Sequence, residues 1–224
     1  MMNIPCWPDL EWRIEPKLVP YEEALAQMEA RAIAIRQTHA PGLIWMVEHP
    51  PLYTAGTSAK PHDLINPHNL PVFKAGRGGQ YTHHAPGQRI VYVMVDLLKW
   101  QQDVRAYVCA LEKWIMLSLA QFGLESGRRS GRIGIWVETQ DQIAGTLCDA
   151  KIAAIGVRLK KWVSLHGIAI NVDIDLSGYD GIIPCGLDPH EYGVTSLKAL
   201  GIDADMARVD HHLKATFKDA FLLG

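Results

Sequence analysis

A lysine and a cysteine are the strongest candidates for covalent chemistry in this sequence. Cys185 stands between Pro184 and Gly186, in a turn where a thiol can be exposed and aimed. Lys151 opens the otherwise small and apolar run 151–157. A thiolate is a competent nucleophile, and a neighbouring ammonium favours the thiolate and can exchange a proton with it. Two structural alternatives stay open, namely an edge-strand lysine that reaches solvent and a turn cysteine without chemistry.

A glycine-rich segment, residues 76–88, is the densest cluster of candidate functional residues in the sequence. Its glycines around Arg77 let the backbone approach a ligand closely and offer N–H groups to an oxygen. It is neither a Walker loop, which ends in Gly-Lys-Ser/Thr, nor a dinucleotide fingerprint, because Tyr81 stands where the last glycine is required. A structural turn is the alternative, but the nearby His84 and the Pro86-Gly87 turn favour a binding role.

Two pairs of adjacent histidines are poor candidates for a metal site. On an extended chain His83 and His84 point to opposite faces, so at most one of them faces a ligand. On a helix His211 and His212 diverge by about 100° and are expected at the surface. Neither a His-Glu-x-x-His motif nor an Asp-rich calcium loop is present in the sequence. The sequence therefore predicts no metal site.

Composition is that of an ordinary globular chain. Of 224 residues, 48% are hydrophobic and 21% charged, and the formal net charge is −2, which argues against disorder and against global nucleic-acid electrostatics. The four cysteines form no CxxC pair, so a reducing compartment is expected. With no secretory or transit pattern and no apolar run long enough to span a membrane, we expect a cytoplasmic protein.

The sequence contains two basic clusters, which are interpreted as solvated turns or as docking sites for an acidic partner. They are Arg128, Arg129 and Arg132, and Arg158, Lys160 and Lys161.

The elements that position these residues are predicted to form an α+β fold in a single domain, residues 1–224. This class is expected because strands and helices do not alternate along the chain as βαβ units. Cys109 is expected to pack as a small hydrophobe within its helix. The three strands between residues 133 and 172 are expected to pair as antiparallel hairpins, although the connection 138–150 is long for a hairpin. The predicted helices are 21–38, 103–122 with Asp103 as N-cap, 195–200 and 205–222; the predicted strands are 43–47, 89–96, 133–137, 151–159 and 167–172, with a loop-rich stretch from 52 to about 74.

Taken together, five ordered motifs resemble the lipoate-biosynthetic octanoyltransferases, also called lipoyl(octanoyl) transferases, of the biotin/lipoate protein ligase superfamily. The resemblance runs from about residue 43 to 201, and an early loop with Glu48-His49-Pro50-Pro51 and Tyr53-Thr54 also matches. The motifs are Arg77-Gly78-Gly79-Gln80 with Thr82, His84 and Pro86-Gly87-Gln88, then 151–156, His166-Gly-Ile-Ala-Ile-Asn171, Ile183-Pro-Cys-Gly186 and Gly193-Val-Thr-Ser-Leu197.

The resemblance implies a fold and a reaction. The fold would be the α+β catalytic domain of biotin and lipoate protein ligases, with mixed sheets, outer helices and a substrate tunnel. The reaction would move an octanoyl group from octanoyl-acyl carrier protein to a specific lysine on lipoyl domains. Cys185 matches the family's thioester-forming nucleophile, and Lys151 the lysine that assists it and shuttles protons. The matching substrate-binding residues are Arg77, Gly78, Gly79, Gln80, Tyr81, Thr82, His83, His84, Ala154, Ile155, Gly156, Gly167, Ile168 and Ala169.

Thioester chemistry of this kind implies no cofactor, because exchange between thioesters is nearly isoenergetic and amide formation from a thioester is downhill. The implied acceptors are lipoyl domains of 2-oxoacid dehydrogenase complexes and the glycine-cleavage H protein, with no nucleic-acid or membrane partner. Two alternatives remain: an ATP-dependent lipoate or biotin protein ligase, and a non-catalytic module that binds acyl carrier or lipoyl domains. His83 and Ala85 stand where the family more often has Tyr and Gly, which leaves the local turn beside His84 open.

Overall fold

The computed structural model describes residues 7–140, 147–183 and 192–222. Two β-sheets and three long helices make up this part of the chain. The helices are α1 (Tyr21–Thr38), α2 (Val104–Ala120) and α3 (Met206–Ala220). The strands are β1 (Glu11–Ile14), β2 (Leu43–Val47), β3 (Leu52–Ala55), β4 (Val72–Lys74), β5 (Tyr81–His84), β6 (Gln88–Met94), β7 (Gly127–Arg129), β8 (Arg132–Gln140), β9 (Leu147–Lys160), β10 (Val163–Asn171) and β11 (Tyr192–Val194).

The main sheet has the strand order β1-β2-β6-β10-β9-β8-β7, and β11 pairs with β9 beside this path. The pairs β1–β2 and β9–β11 are parallel, while the other neighbours are antiparallel. The expected antiparallel pairing of the three strands between 133 and 172 is therefore confirmed, as is the α+β class. Most of the connection 138–150 belongs to β8 and β9, and residues 141–146 lie outside the described part.

Helices cover both faces of the main sheet, and the sequence of β2 is apolar on both faces as this arrangement requires. All five of its residues are buried, because alternate side chains enter two different cores. Ile44 and Met46 pack in the cluster under α2 and α3, whereas Leu43, Trp45 and Val47 pack in the cluster under α1. A continuous apolar run is thus what a strand covered on both faces requires.

The predicted loop-rich stretch from 52 to 74 is only partly a loop. It contains β3 and β4, which pair in parallel, while β5 joins the other side of β3 in antiparallel register. The three strands form a second, small sheet with the order β4-β3-β5. Strands of three or four residues are too short to show an alternating pattern, which is why the sequence did not reveal them. This sheet holds the glycine-rich segment against the main sheet.

Three of the four predicted helices are present, and α2 has the predicted N-cap. Asp103 accepts hydrogen bonds from the backbone N–H groups of Arg105 and Ala106, and Asp205 caps α3 by accepting from that of Arg208. The predicted helix 195–200 is wrong: the segment forms a turn in which Ser196 accepts a hydrogen bond from the backbone N–H of Ala199. One such turn is too short to propagate as a helix. None of the described helices is long and apolar enough to cross a membrane.

Cys109 corrects a second expectation. It lies in α2, as predicted, but its side chain is exposed rather than packed. The next two residues, Ala110 and Leu111, are buried, so the helix turns its core face away from Cys109. The histidines of α3 also differ from each other, because His211 is exposed while His212 is half-buried against Phe122, with 4.7 Å between the ring centroids.

Candidate functional site

A cavity of about 690 Å³ lies over the main sheet, between β9, β10 and the glycine-rich segment. It brings together residues that the sequence had proposed from three separate motifs. Thirteen of the fourteen proposed substrate-binding residues line it, and so does Lys151. The lining members are Arg77, Gly78, Gly79, Gln80, Tyr81, Thr82, His84, Ala154, Ile155, Gly156, Gly167, Ile168 and Ala169.

His83 is the proposed residue that the described cavity wall does not include. Its ring lies behind the wall, 5.3 Å from the ring of Tyr53 and 5.5 Å from that of Tyr179. The ring nitrogen Nδ1 is 3.2 Å from the carbonyl of Leu52. Because β5 alternates its side chains, His83 and His84 face opposite ways, as the sequence indicated. His83 thus packs the small sheet against the segment that contains Tyr179.

Lys151 lies in the interior of the main sheet. It is paired with Trp136 of β8 on one side and with Val194 of β11 on the other. The alternative of an edge-strand lysine is therefore wrong. Its Nζ sits 4.7 Å from the centroid of the Trp136 ring, a cation–π distance. Gly134, with φ of 123°, leaves the room for the lysine stem, since a Cβ there would lie 3.2 Å from Cε of Lys151 and 2.8 Å from the carbonyl of Ala153.

Cys185 lies outside the described residues, but the chain on both sides of 184–191 is firmly attached. Before this segment, the backbone N–H of Ile183 donates to the carbonyl of Asp63 at 2.8 Å, and Gly181 accepts from the backbone N–H groups of Ile65 and Asn66. After it, the chain enters β11, which runs beside Lys151. Of the other cysteines, Cys148 is half-buried with Sγ 3.3 Å from Thr139 Oγ1, and Cys6 also lies outside the described part.

Arg77 holds the glycine-rich segment in shape. Its Nη1 donates to the carbonyls of Gly78 and Gln80, at 2.9 and 3.1 Å. Its Nη2 donates to the carbonyl of Thr54 and to Thr54 Oγ1, at 3.0 and 2.7 Å. The arginine stem crosses the backbone of Gly156, where any Cβ would lie 2.5 Å from Cδ of Arg77. The arginine therefore acts as a scaffold that fastens the segment to the small sheet and to β9.

A chain of buried hydrogen bonds continues inward from Arg77. Thr54 Oγ1 accepts from Arg77 and donates to His84 Nε2 over 3.2 Å, and His84 Nδ1 donates to Gln88 Oε1 over 2.7 Å. Burial, with the nearby charges of His49 and Arg77, holds the pKa of His84 well below its usual value. The two hydrogen bonds of His84 also require a neutral ring, because one ring nitrogen donates while the other accepts.

The same chain then reaches the strand that carries Lys151. Gln88 Nε2 donates to Asn171 Oδ1 at 2.9 Å, and Asn171 Nδ2 donates to the carbonyl of Thr195 at 2.9 Å. The backbone N–H of Thr195 donates in turn to the carbonyl of Lys151 at 3.0 Å. Tyr179 also bonds to both amide side chains. Gln88 and Asn171 thus link the glycine-rich segment, β10 and the lysine strand.

These linking residues were not among the site residues that the sequence proposed. Gln88 and Asn171 lie inside the motifs that carried the resemblance, so their position was visible although their role was not. Thr54 lies in the early loop that also matched, again without an assigned role, whereas Tyr179 carried no such signal as a site residue. Tyr21 and Tyr92, which also line the cavity, look in the sequence like ordinary core aromatics. Only the tertiary contacts distinguish a buried tyrosine of the core from one that faces a cavity.

Both basic clusters form ion pairs within the chain. Arg128 pairs with Glu112 at 2.7 Å, and Arg129 pairs with Asp149 at 2.6 Å. Arg158 and Lys160 both bind Glu29, at 2.8 and 2.7 Å. The first interpretation, that of structural surface turns, fits better than a docking site for an acidic partner.

In the described ranges no group of three or more His, Cys, Asp or Glu side chains could hold a metal ion.

A mixed sheet with helices on both faces and a largely apolar cavity that presents one lysine is the arrangement of a catalytic domain that binds an apolar substrate. The family model "Lipoyl protein ligase A/B catalytic domain" matches residues 20–218, and the chain belongs to this family. A relative from Chelativorans sp. (strain BNC1), named octanoyltransferase, is 55% identical over 96% of this chain and 87% of its own. Another of that name, from Dinoroseobacter shibae, is 55% identical over 95% of this chain and 97% of its own. These findings confirm the family and the acyltransferase class expected from the sequence.

Solved structures agree with the fold. A lipoate-protein ligase A bound with ATP has a TM-score of 0.68 at 14% identity and covers 94% of this chain and 85% of its own. A bipartite lipoate protein ligase from Thermoplasma acidophilum has a TM-score of 0.64 at 16% identity, with 94% and 84% covered. At such identities the likeness concerns the fold, and it confirms the predicted ligase-type architecture.

Proposed function

We propose that this protein transfers an octanoyl group from octanoyl-acyl carrier protein to a lysine of a lipoyl domain, through a thioester on Cys185. The observation that carries the proposal is the position of Lys151. It lines a largely apolar cavity, and it pairs with β11, the strand that follows the segment of Cys185. The names of the relatives that are 55% identical support the same acyl group.

In the first half-reaction, the thiolate of Cys185 attacks the carbonyl carbon of the donor thioester. The bond to the carrier's sulfur breaks, and the ammonium of Lys151 gives that sulfur a proton as it leaves. In the second half-reaction, the amine of the acceptor lysine attacks the new thioester and forms the amide. Lys151, now neutral, takes the proton of the attacking amine, and the thiolate of Cys185 is restored. No ATP is consumed, because the amide is more stable than the thioester.

The cavity wall supplies the binding energy for the acyl chain. Ala154 and Ala169, which are paired across β9 and β10, offer it apolar surface, with the glycine-rich backbone opposite. Each buried methylene contributes roughly 0.8 kcal/mol, so a medium-length chain binds without any polar anchor along its length. The backbone N–H groups of the glycine-rich segment are candidates to stabilise the oxyanion that forms at the carbonyl.

Intact-mass spectrometry after incubation with octanoyl-acyl carrier protein tests the proposal. We expect a gain of one octanoyl group that hydroxylamine removes, and transfer of that group to an added lipoyl domain. Cys185→Ser should lose both signals, whereas Cys109→Ser, which changes an exposed cysteine of α2, should keep them. Lys151→Ala should fold normally and lose most of the transfer. Full transfer by Cys185→Ala would overturn the mechanism.

An ATP-dependent ligase is the second candidate, and the fold shared with an ATP-bound lipoate-protein ligase favours it. Such an enzyme activates a free acid as an adenylate and needs no thiol nucleophile. Incubation with octanoic or lipoic acid, ATP and Mg²⁺ separates the two functions. Modification of the lipoyl domain under these conditions, with no acyl group on Cys185, would replace the thioester proposal. We expect no product from free acid and ATP.

The acceptors that this function would serve are the lipoyl domains of 2-oxoacid dehydrogenase complexes and the glycine-cleavage H protein. Each presents one lysine on a folded domain, so the enzyme itself needs only the acyl site and the two catalytic groups. A comparison of purified acceptor domains in the transfer assay decides which of them it serves. A non-catalytic binding module would hold these domains without moving any acyl group.

A further inference from the structure

Trp136 of β8 lies directly beside Lys151 and on the same face of the main sheet. The two residues are register partners across β8 and β9. Their neighbours along both strands belong to the core under α2; these are Ile135, Val137, Ala150 and Ile152. Because side chains alternate across a strand, Trp136 and Lys151 share the opposite face. On that face the lysine lines the cavity and the indole packs against it.

The indole of Trp136 holds the lysine ammonium at a cation–π distance. Nζ of Lys151 lies over the ring, 4.7 Å from its centroid, and Trp136 is only 1% exposed. The attraction between an ammonium and the electron-rich face of tryptophan is strongest where water is excluded. A buried indole therefore offers the Lys151 ammonium a fixed place within the sheet.

The stem of Lys151 is guided to this ring by a glycine of the same strand. A lysine ammonium is a compact charge on a flexible four-carbon stem, so its position depends on what surrounds the stem. A Cβ at Gly134 would lie 3.2 Å from Cε and 3.5 Å from Cδ of Lys151. The stem thus crosses the backbone of Gly134 and ends on the ring of Trp136, two residues further along β8.

A second cation lies near the same ring, but it has a counter-charge. The guanidinium carbon of Arg132 is 5.6 Å from the centroid of the Trp136 ring. Nη1 of Arg132 is 3.7 Å from Oδ2 of Asp149. This carboxylate reduces the repulsion that Arg132 would otherwise exert on Lys151, because opposite charges at this distance attract. Trp136 can therefore hold the lysine although an arginine shares its ring.

We propose that Trp136 is a positioning residue for Lys151, and that its indole face keeps the amine beside β11 through both half-reactions. The proposal rests on the proposed function, because the proton transfers of Lys151 are what require a fixed amine. In the first half-reaction the ammonium stays on the ring until the carrier's sulfur leaves with its proton. In the second, the neutral amine takes the proton of the attacking acceptor lysine and returns to the ring as an ammonium.

Two substitutions of Trp136 test the ring face. Trp136→Leu removes it, whereas Trp136→Phe keeps a smaller aromatic face. We expect the kcat of octanoyl transfer to fall about tenfold in the leucine variant and about threefold in the phenylalanine variant, as for a lost or weakened desolvated cation–π contact. KM for the octanoyl-acyl carrier protein should change less than about twofold, because Trp136 lies behind Lys151 rather than in the described cavity wall.

Trp12→Leu is the matched control, because it also removes a cation–π contact. The ring of Trp12 on β1 lies 5.8 Å from Nζ of Lys214. β1 is four strand positions from β9 in the main sheet, which corresponds to about 19 Å. At a temperature where both proteins are folded, Trp12→Leu should transfer octanoyl groups as fast as the unchanged protein does.

Fluorinated tryptophan weakens the ring face with little change in shape. Expression with 5-fluorotryptophan replaces all seven tryptophans, and Trp136→Phe prepared in the same way carries the other six. We expect fluorination to lower kcat about twofold in the unchanged protein and to leave the kcat of Trp136→Phe constant, because fluorine withdraws electron density from the ring that faces Lys151.

Acetylation of Lys151 gives a readout that needs no transfer. A pulse of acetic anhydride followed by mass spectrometry of the peptides compares Lys151 with the exposed Lys218 as internal reference. A weaker ring contact leaves the Lys151 amine more reactive, so fluorination should speed its acetylation about twofold in the unchanged protein. In Trp136→Phe fluorination should leave the rate unchanged.

The outcomes separate this inference from the proposed function. If no donor gives transfer but fluorination speeds acetylation of Lys151 only where Trp136 is present, the ring contact stands and the transfer function fails. If transfer proceeds and Trp136→Leu keeps a normal kcat, or if fluorination lowers the kcat of Trp136→Phe equally, the positioning role is refuted. An equal loss in Trp12→Leu would refute it as well. Should Trp136→Leu fail to fold, the fluorination comparison decides alone.

Discussion

Asn171 on β10 donates from Nδ2 to the backbone carbonyl of Thr195, 2.9 Å away, and so joins the centre of the main sheet to the chain just beyond β11. Thr195 bonds through its own N–H to the carbonyl of Lys151. On its other side Asn171 accepts from Gln88 and Tyr179. One buried amide therefore connects the wall of the cavity to the strand of the proposed catalytic lysine.

Replacement of this amide should affect both stability and transfer. Asn171→Ala leaves the buried donor of Gln88 and the carbonyl of Thr195 with one partner fewer, and each such loss costs about 1–3 kcal/mol. We expect the free energy of unfolding in urea to fall by roughly 2–4 kcal/mol. We also expect kcat to fall more than KM rises, because the change acts on the lysine strand rather than on the acyl wall.

The control for this variant is Gln101→Ala, which shortens an exposed amide side chain before α2 and should change neither quantity. Asn171→Asp tests the geometry with nearly the same shape, since it keeps the acceptor but loses the donor to Thr195. Normal kcat in Asn171→Ala at a temperature where the variant is fully folded would show that the link has no bearing on Lys151.

Gly156→Ala should disrupt the glycine-rich segment through Arg77. The new Cβ would lie 2.5 Å from Cδ of Arg77, so the arginine must leave the place from which it makes its four hydrogen bonds. We expect loss of most acyl transfer together with weaker binding of octanoic acid in calorimetry. Gly193→Ala is the matched control, because among the described residues its Cβ meets no atom closer than 3.6 Å. Unchanged acid binding in Gly156→Ala would mean that Arg77 is dispensable for the cavity.

The elements that could be predicted from the sequence are those whose patterns are long. The bounds of α1 agree with the prediction, since eighteen residues show the helical period clearly. The strands β9 and β10 were recognised as well, and the motifs placed thirteen of the fourteen substrate-binding candidates on one cavity. Short elements such as β3 and β4 were missed, because three or four residues carry too little periodic signal.

Other features depend on tertiary contacts and could not be predicted from local sequence. The exposed position of Cys109 follows from the direction in which α2 packs, and a helix with many apolar residues does not show that direction. Tyr21 lines the cavity, although its sequence context is that of an ordinary helical residue. The interior position of Lys151 depends on β11, a strand of three residues more than forty residues further along the chain.

Phe217 should be important for stability but not for the site. It is buried on α3 and lies within aromatic contact of Trp12, Trp114 and Phe221, with centroid distances of 5.3, 5.1 and 4.7 Å. Truncation of a buried phenylalanine leaves a cavity and costs about 3–5 kcal/mol. We expect Phe217→Ala to lower the free energy of unfolding by that amount and to retain its kcat where it is folded. Lys218→Ala, an exposed neighbour, should cost less than about 0.5 kcal/mol.

Acid should destabilise the protein partly through His166. Burial, together with the charges of Arg77 and Arg158, lowers the pKa of His166 from 6.5 to about 4 in the folded chain. Between these two values the unfolded chain binds more protons than the folded one, so stability is present above pH 6.5 and is lost as the pH falls. From pH 7 to pH 5 this single group should remove about 2 kcal/mol from the free energy of unfolding.

His166→Asn isolates that contribution from the other titrating groups, because asparagine does not titrate and tolerates the same backbone conformation. Urea unfolding of both proteins at pH 7, 6 and 5 gives the comparison. The variant should lose about 2 kcal/mol less than the unchanged protein over this interval, whatever its absolute stability at pH 7. His84 is also buried with a lowered pKa, so part of the acid sensitivity will persist in the variant. Parallel curves for the two proteins would show that His166 titrates normally in the folded chain and is not held in its neutral form.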